Sequence, residues 1–199
     1  MKRSISLWTI RLCCLIACSV GQTASSNTQP SSSPAADGYT FQNVKSHLCI
    51  GVSRGSLSEG APVQQFCCDN RSNQRWSASG PFGRYRSFTN GKSGKCMGID
   101  QKPGSKTKGA DLKQFGCDSP KTAHWRYEVI QKAGANGFPT ARFTLTNSDE
   151  LCLGVDNART NIGAQLSQFK CDKAPNQQWA LRLGTAADLP SPPECSRLP

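Results

Sequence analysis

The sequence predicts an all-β fold of three four-stranded units around one axis, and three observations predict it. The composition favours strands and turns: of 199 residues, 8 % are aromatic and 36 % hydrophobic, against 18 glycines and 12 prolines. Such a balance suits short strands separated by many turns rather than long helices. The middle of the chain repeats three times, and its cysteines recur in phase with that repeat.

The units open on CIGVS at Cys49, CMGID at Cys96 and CLGVD at Cys152. Each continues through a loop into GAPVQQFCCD, GADLKQFGCD or GAQLSQFKCD, and closes on NQRW, TAHW or NQQW. The tryptophans Trp76, Trp125 and Trp179 are spaced by 49 and 54 positions, as are Phe66, Phe115 and Phe169. Strand-forming pieces lie between the turn clusters: Tyr39-Thr40-Phe41 or Arg142 to Leu145, then Cys-x-Gly, then the segment ending Gln-Phe, then the tryptophan. A unit of about 50 residues cannot bury enough apolar surface alone, so the three must share a core. A propeller needs at least four blades, which leaves closure about a threefold axis as the compact solution.

Outside the repeats the chain divides by composition. Residues 1–21 have a basic start, an apolar run and a small-residue exit, the layout of an export signal. Leu15-Ile16-Ala17-Cys18 resembles the bacterial lipobox, which implies lipidation of Cys18; ordinary cleavage after Gly21 is the alternative. Residues 22–37, QTASSNTQPSSSPAAD, read as a flexible tether, 38–184 as the folded domain and 185–199 as a tail. Export implies secretion or lipid anchoring at the outer surface of a bacterial cell, and an oxidising compartment for the cysteines. Of 11 cysteines, eight remain once Cys13, Cys14 and Cys18 are set aside, an even number that suggests disulfides. Loss of Lys2, Arg3 and Arg11 lowers the net charge from +11 to +8. The densest basic group, Lys92, Lys95, Lys102, Lys106 and Lys108, reads either as a solvated loop face or as an attraction for anionic glycans or phosphates.

Gly51-Val52-Ser53-Arg54-Gly55 spells G-x-S-x-G, yet no helical pattern follows, and the only histidines are His47 and His124. Ser53 also falls where the other units carry Asp100 and Asp156. A nucleophile elbow needs a strand-to-helix turn with acid and histidine partners, so no catalytic residue is expected. Gly91-Lys92-Ser93 lacks the earlier glycine of a phosphate loop, since position 86 is Arg86. The histidines and cysteines do not have metal-ligand spacing, and neither a metal nor another cofactor is expected.

Gln74-Arg75-Trp76 and Gln177-Gln178-Trp179 match the Q-x-W motif, and Ala123-His124-Trp125 keeps its tryptophan. With the triplication these residues resemble the ricin-type lectin family over about Tyr39 to Leu183. The resemblance implies a β-trefoil whose tryptophans are core residues, with the glutamine amides satisfying buried backbone groups. In-phase cysteines suggest Cys49–Cys68, Cys96–Cys117 and Cys152–Cys171, loops worth about 3 kcal/mol each; Cys67 and Cys195 remain for a fourth bridge to the tail. The resemblance further implies stacking of sugar on the strand phenylalanine, with the residue two before it bonding a hydroxyl. The expected first site is Gln64, Phe66, Asn73 and Gln74, and the third is Ser167, Phe169, Asn176 and Gln177. The second, Lys113, Phe115, Thr122 and Ala123, is expected to be impaired. The phenylalanines can alternatively be packing residues.

One departure concerns the aspartate that the family usually places two residues after the first cysteine, where this chain has Gly51, Gly98 and Gly154. Asp100 and Asp156 stand on the same face if their strands continue and could substitute. The resemblance implies non-catalytic carbohydrate binding, with glycans as partners and no nucleic acid. A second reading is a cell-binding subunit, similar to those of cytolethal distending toxins, that docks toxin or surface-protein partners and associates with a membrane through its lipid anchor. Gln65, Gln114 and Gln168 recur opposite the phenylalanines, where a buried hydrogen-bonding role is the expectation.

Overall fold

The computed structural model describes residues 38–79, 84–102, 106–132, 134, 142–183 and 190–197. The expected signal, lipidation site and tether therefore lie outside the described residues. The fold is a β-trefoil of twelve strands, and among the described residues the only helical elements are short 3-10 turns. The first unit contributes β1 (Tyr39–Asn43), β2 (Cys49–Val52), β3 (Val63–Phe66) and β4 (Trp76–Ala78). The second contributes β5 (Phe88–Asn90), β6 (Cys96–Ile99), β7 (Leu112–Phe115) and β8 (Trp125–Gln131). The third contributes β9 (Arg142–Asn147), β10 (Leu151–Val155), β11 (Leu166–Lys170) and β12 (Trp179–Leu183).

Antiparallel pairing runs β8-β9-β12-β1-β4-β5, and a bridge between Arg86 and Trp125 closes this ring. The remaining strands form three hairpins, β2-β3, β6-β7 and β10-β11. Trp76, Trp125 and Trp179 are fully buried together with Phe41, Ile50, Leu112, Leu145 and Leu166. The indole N–H of Trp76 donates to the Ile50 carbonyl and that of Trp179 to the Leu153 carbonyl, at 3.3 and 3.1 Å.

The recurring glutamines close the threefold arrangement. Gln65 N–H donates to the carbonyl of Ala164 and the Gln65 carbonyl accepts from Gly163 N–H, so the first unit is stitched to the third. Gln114 makes the same pair with Ala61 and Gly60, and Gln168 with Ala110 and Gly109. Each glycine has a positive φ, 69° at Gly60, 77° at Gly109 and 80° at Gly163. That conformation is open to glycine at little cost, which explains the triple Gly-Ala.

The side chains extend the same contact. Gln65 is fully buried; its Oε1 accepts from Ser46 Oγ at 2.7 Å while its Nε2 donates to the carbonyls of Arg159 and Asn161. Gln114 repeats this with Ser93, Ser56 and Ser58, and Gln168 with Asn147, Gln101 and Thr107. The buried hydrogen-bonding role expected of these residues thus has a defined purpose: each ties its own unit to a loop of the unit before it in the cycle.

Four disulfides are present: Cys49–Cys68, Cys96–Cys117 and Cys152–Cys171 within the units, and Cys67–Cys195 between the first unit and the tail. The tail forms a 3-10 turn at Pro193–Arg197, and the Pro190 carbonyl accepts from Gln42 Nε2 at 3.4 Å. Among the described residues no helix is long and apolar enough to cross a membrane.

Candidate functional site

In β3 the residues alternate buried and half-buried, so Val63 and Gln65 face the core while Gln64 and Phe66 face outward. Register places Gly51 opposite Gln64 and Cys49 opposite Phe66. The 3-10 turn at Ser72–Gln74 then folds over the hairpin, held by Asn73 Nδ2 donating to the Val52 carbonyl at 3.1 Å. The result is a cleft of ≈ 370 Å³ bounded by Phe66, Asn73, Arg54, Arg71, Lys92 and, from the third unit, Ile162.

The expected ligand groups divide between this cleft and the scaffold. Phe66 and Asn73 line the cleft. Gln74 is buried, its Nε2 donating to the Cys67 carbonyl at 2.7 Å and its Oε1 accepting from Asp69 N–H at 3.2 Å. Each end of that amide holds a backbone partner, and Gln74 forms the floor of the cleft. Gln177 is placed identically against Lys170 and Asp172. Gln64 Nε2 donates to the Gly163 carbonyl at 2.9 Å, which ties it to the neighbouring unit.

In the third unit Phe169 is half-buried, and Asn176 Nδ2 donates to the Val155 carbonyl as Asn73 does in the first. Ser167 differs from expectation: it is 1 % exposed, and its hydroxyl donates to Asp111 across the unit boundary at 3.3 Å. The strand pattern alone places it outward, but the closure of the trefoil covers that face. Asp156 does not stand on an extended strand face either. β10 ends at Val155, and Asp156–Ala158 form a 3-10 turn in which Asn157 has φ 50°. Its carboxylate accepts from Asn157 Nδ2 at 2.9 Å. Ser53 occupies the matching turn of the first unit, where Arg54 has φ 52°.

The glycines that replace the usual aspartate are packed against. A Cβ on Gly51 would lie 3.0 Å from Gln74 Cγ and 3.2 Å from Phe66 Cδ2, and one on Gly154 would lie 3.0 Å from Gln177 Cγ and 3.1 Å from Phe169 Cδ2. The phenylalanine leans into the space that a side chain there would need.

The second unit fills its own cleft. With Ala123 in place of the motif glutamine, residues 121–123 collapse onto β6: Ile99 N–H donates to the Lys121 carbonyl at 3.0 Å and Ala123 N–H to the Met97 carbonyl at 3.1 Å. Met97 corresponds to Ile50 and Leu153, so the carbonyl that serves the indole in the other units is taken, and Trp125 Nε1 is left without a partner. Lys113 and Lys121 both bond the Asp100 carboxylate, at 2.6 and 2.7 Å, and the Lys121 ammonium lies 5.3 Å from the centre of the Phe115 ring. Phe115 itself is buried.

The hydrogen bond from Lys113, and then that from Lys121, hold the Asp100 carboxyl below the ordinary carboxylate range. A pKa lowered by folding stabilises the protein above the unfolded value and ceases to do so as pH falls through the folded one. Asp100→Asn is therefore expected to lower stability at neutral pH. The gap from the native protein should close progressively below about pH 4, the ordinary carboxylate value, as read by denaturant melts across pH.

The geometry agrees with comparisons to known proteins. The family model for the ricin-type beta-trefoil lectin domain matches residues 37–137. This chain belongs to that family. A designed threefold symmetric protein, ThreeFoil, superposes on the trefoil with a TM-score of 0.62 at 26 % identity, covering 72 % of this chain and 96 % of that one. The exo-beta-1,3-galactanase 1,3Gal43A of Clostridium thermocellum gives 0.64 at 23 % identity over 74 % of this chain, which spans only 30 % of the galactanase. The ricin B-like lectin of Macrolepiota procera, solved in complex with lactose, gives 0.55 at 18 % identity, covering 72 % of this chain and 92 % of that one. Among curated proteins no significant sequence match was found.

Arg54, Arg71, Lys92 and Ile162 were not among the expected site residues. Lys92 was visible in Gly91-Lys92-Ser93 and as part of a basic run, whose other members the structure scatters: Lys95 pairs with Glu59 at 3.5 Å, while Lys102, Lys106 and Lys108 are exposed. Arg54 could have been found by noticing that it aligns with Asn157, a polar residue at the same turn.

Proposed function

We propose that this ricin-type trefoil is a non-catalytic carbohydrate-binding protein whose principal site is the cleft of the first unit. The observation that carries this reading is the half-exposed Phe66 ring, which stands in a cleft of ≈ 370 Å³ beside Asn73. A pyranose presents an apolar face to such a ring and hydroxyls to the polar rim, and the cleft is of the size of small-ligand sites. Family membership supports carbohydrate binding, and lactose in the Macrolepiota lectin supports a saccharide of that size. The third unit, with Phe169 and Asn176 similarly placed, is a weaker second site, and the second unit is silent. Export to an oxidising compartment, with or without lipidation at Cys18, is part of the same proposal, and the four disulfides support it.

The test is a glycan array followed by calorimetry on the strongest binder. Phe66→Ala is expected to weaken binding by roughly tenfold or more, the loss of one stacked aromatic face, and Phe169→Ala by less. Undiminished affinity in Phe66→Ala would remove the first cleft as the site.

A further inference from the structure

Resting on that reading, the charges around the first cleft narrow the kind of saccharide it takes. The position that usually carries a carboxylate is Gly51, and the packing of Phe66 and Gln74 leaves no room there for an acid. The turn that carries Asp100 or Asp156 in the other units carries Ser53 here. Among the lining residues the one carboxylate is Asp69, and Arg71 Nε already pairs with it at 3.1 Å.

Two cations remain. Arg54 and Lys92 both line the cleft, and among the described residues neither makes an ion pair. Lys92 Nζ lies 2.5 Å from where a Cβ on Gly55 would stand, so the ammonium lies against the residue that follows Arg54 in the chain. Both side chains are exposed at the rim of the cleft, where two cations without an acid of their own attract an anionic ligand group. In the second unit, from other positions of the repeat, Lys113 and Lys121 hold the Asp100 carboxylate between them, with Lys121 beside the Phe115 ring, so the trefoil does seat an anion between two cations next to this aromatic. The first unit has the ring and the two cations, and its one lining carboxylate, Asp69, is already paired with Arg71.

We infer that the first cleft recognises an acidic saccharide, a sugar bearing a carboxylate or a sulfate, with its ring on Phe66 and its anionic group between Arg54 and Lys92. The guanidinium and ammonium then form charge-assisted bonds to the oxyanion, which neutral sugars cannot offer.

Calorimetry with lactose, sialyllactose and sulfated lactose, each at low and at high salt, tests this. At least one acidic ligand should bind roughly tenfold or more tightly than lactose at low salt, and the advantage should shrink at high salt. The two acidic ligands separate carboxylate from sulfate recognition. In R54A/K92A the acidic-to-neutral ratio should fall to near unity, whereas K132Q, at an exposed lysine outside the cleft, should leave the ratio as it is. Equal affinity for acidic and neutral ligands would overturn the inference and leave the lectin reading standing. A ratio lost equally in K132Q would assign it to overall charge and also overturn it, and binding of no saccharide at all would remove both readings.

Discussion

Gln65→Leu should destabilise the trefoil by roughly 3–5 kcal/mol, although leucine nearly matches glutamine in volume and the site is fully buried. The reason is what it leaves behind. Ser46 Oγ loses the acceptor at 2.7 Å, and the carbonyls of Arg159 and Asn161 lose donors at 3.2 and 3.0 Å. A buried polar group that loses its partner costs about 1–3 kcal/mol, and three lose one together, although the Asn161 carbonyl keeps Ala164 N–H and Ser46 Oγ keeps Leu48 N–H. For a domain of this size each kcal/mol corresponds to about 2–4 °C in Tm, so thermal melts should show a drop on the order of 10 °C. Gln65→Glu should be no milder, since it retains the bond from Ser46 but sets a buried carboxyl oxygen against two carbonyls that need a donor. Gln114→Leu and Gln168→Leu should act alike, because each seals an equivalent boundary. A leucine variant within 1 kcal/mol of the native protein, about the net worth of one hydrogen bond, would mean that backbone stitching alone holds the units together.

That glutamine also shows what the sequence could and could not reveal. Its recurrence was legible, because three copies of one unit must place it at equivalent positions, and so were the strands, the tryptophan core and the three in-phase cysteine pairs. Each of those depends on spacing within a single unit. The partners of Gln65 lie 94 and 96 positions away in the third unit, and no local pattern encodes them. Ser167 was misjudged for the same reason: period two gives its face correctly, but Asp111 of the neighbouring unit covers that face. Asp156 was placed on a strand that the left-handed Asn157 ends one residue earlier. Ile162 reaches the first cleft only because the chain closes on itself. The candidate site was thus readable in its aromatic and Asn73, which belong to one unit, and unreadable in its rim, which two units build.

Gly98→Ala should be the most damaging single methyl that can be added to the three hairpins. At Gly98 the new Cβ would lie 2.5 Å from Phe115 Cδ2 and in collision with the Lys121 carbonyl. Side chains can yield a few tenths of an ångström, but the Lys121 carbonyl is fixed by the bond from Ile99 N–H, and its neighbour Ala123 is fixed to Met97. Relief therefore requires unzipping the 121–123 segment from β6, and overpacking of this kind costs about 3 kcal/mol. Gly51→Ala and Gly154→Ala meet only the flexible glutamine Cγ and a ring edge at 3.0–3.2 Å, so each should cost about 1 kcal/mol. Urea denaturation of the three alanine variants gives the ranking directly, and equal losses would refute the collapse of the middle unit onto its own strand. Gly51→Asp extends the same reasoning to function. A carboxylate there enters a buried position packed by Phe66 Cδ2 and Gln74 Cγ, so it must displace them to reach the cations at the rim, and the overpacking and desolvation both disfavour it. Restoring the usual family residue should therefore lower stability and displace the Phe66 ring. Saccharide binding should weaken with it, because the displaced Phe66 ring is the face on which the proposed site stacks its ligand.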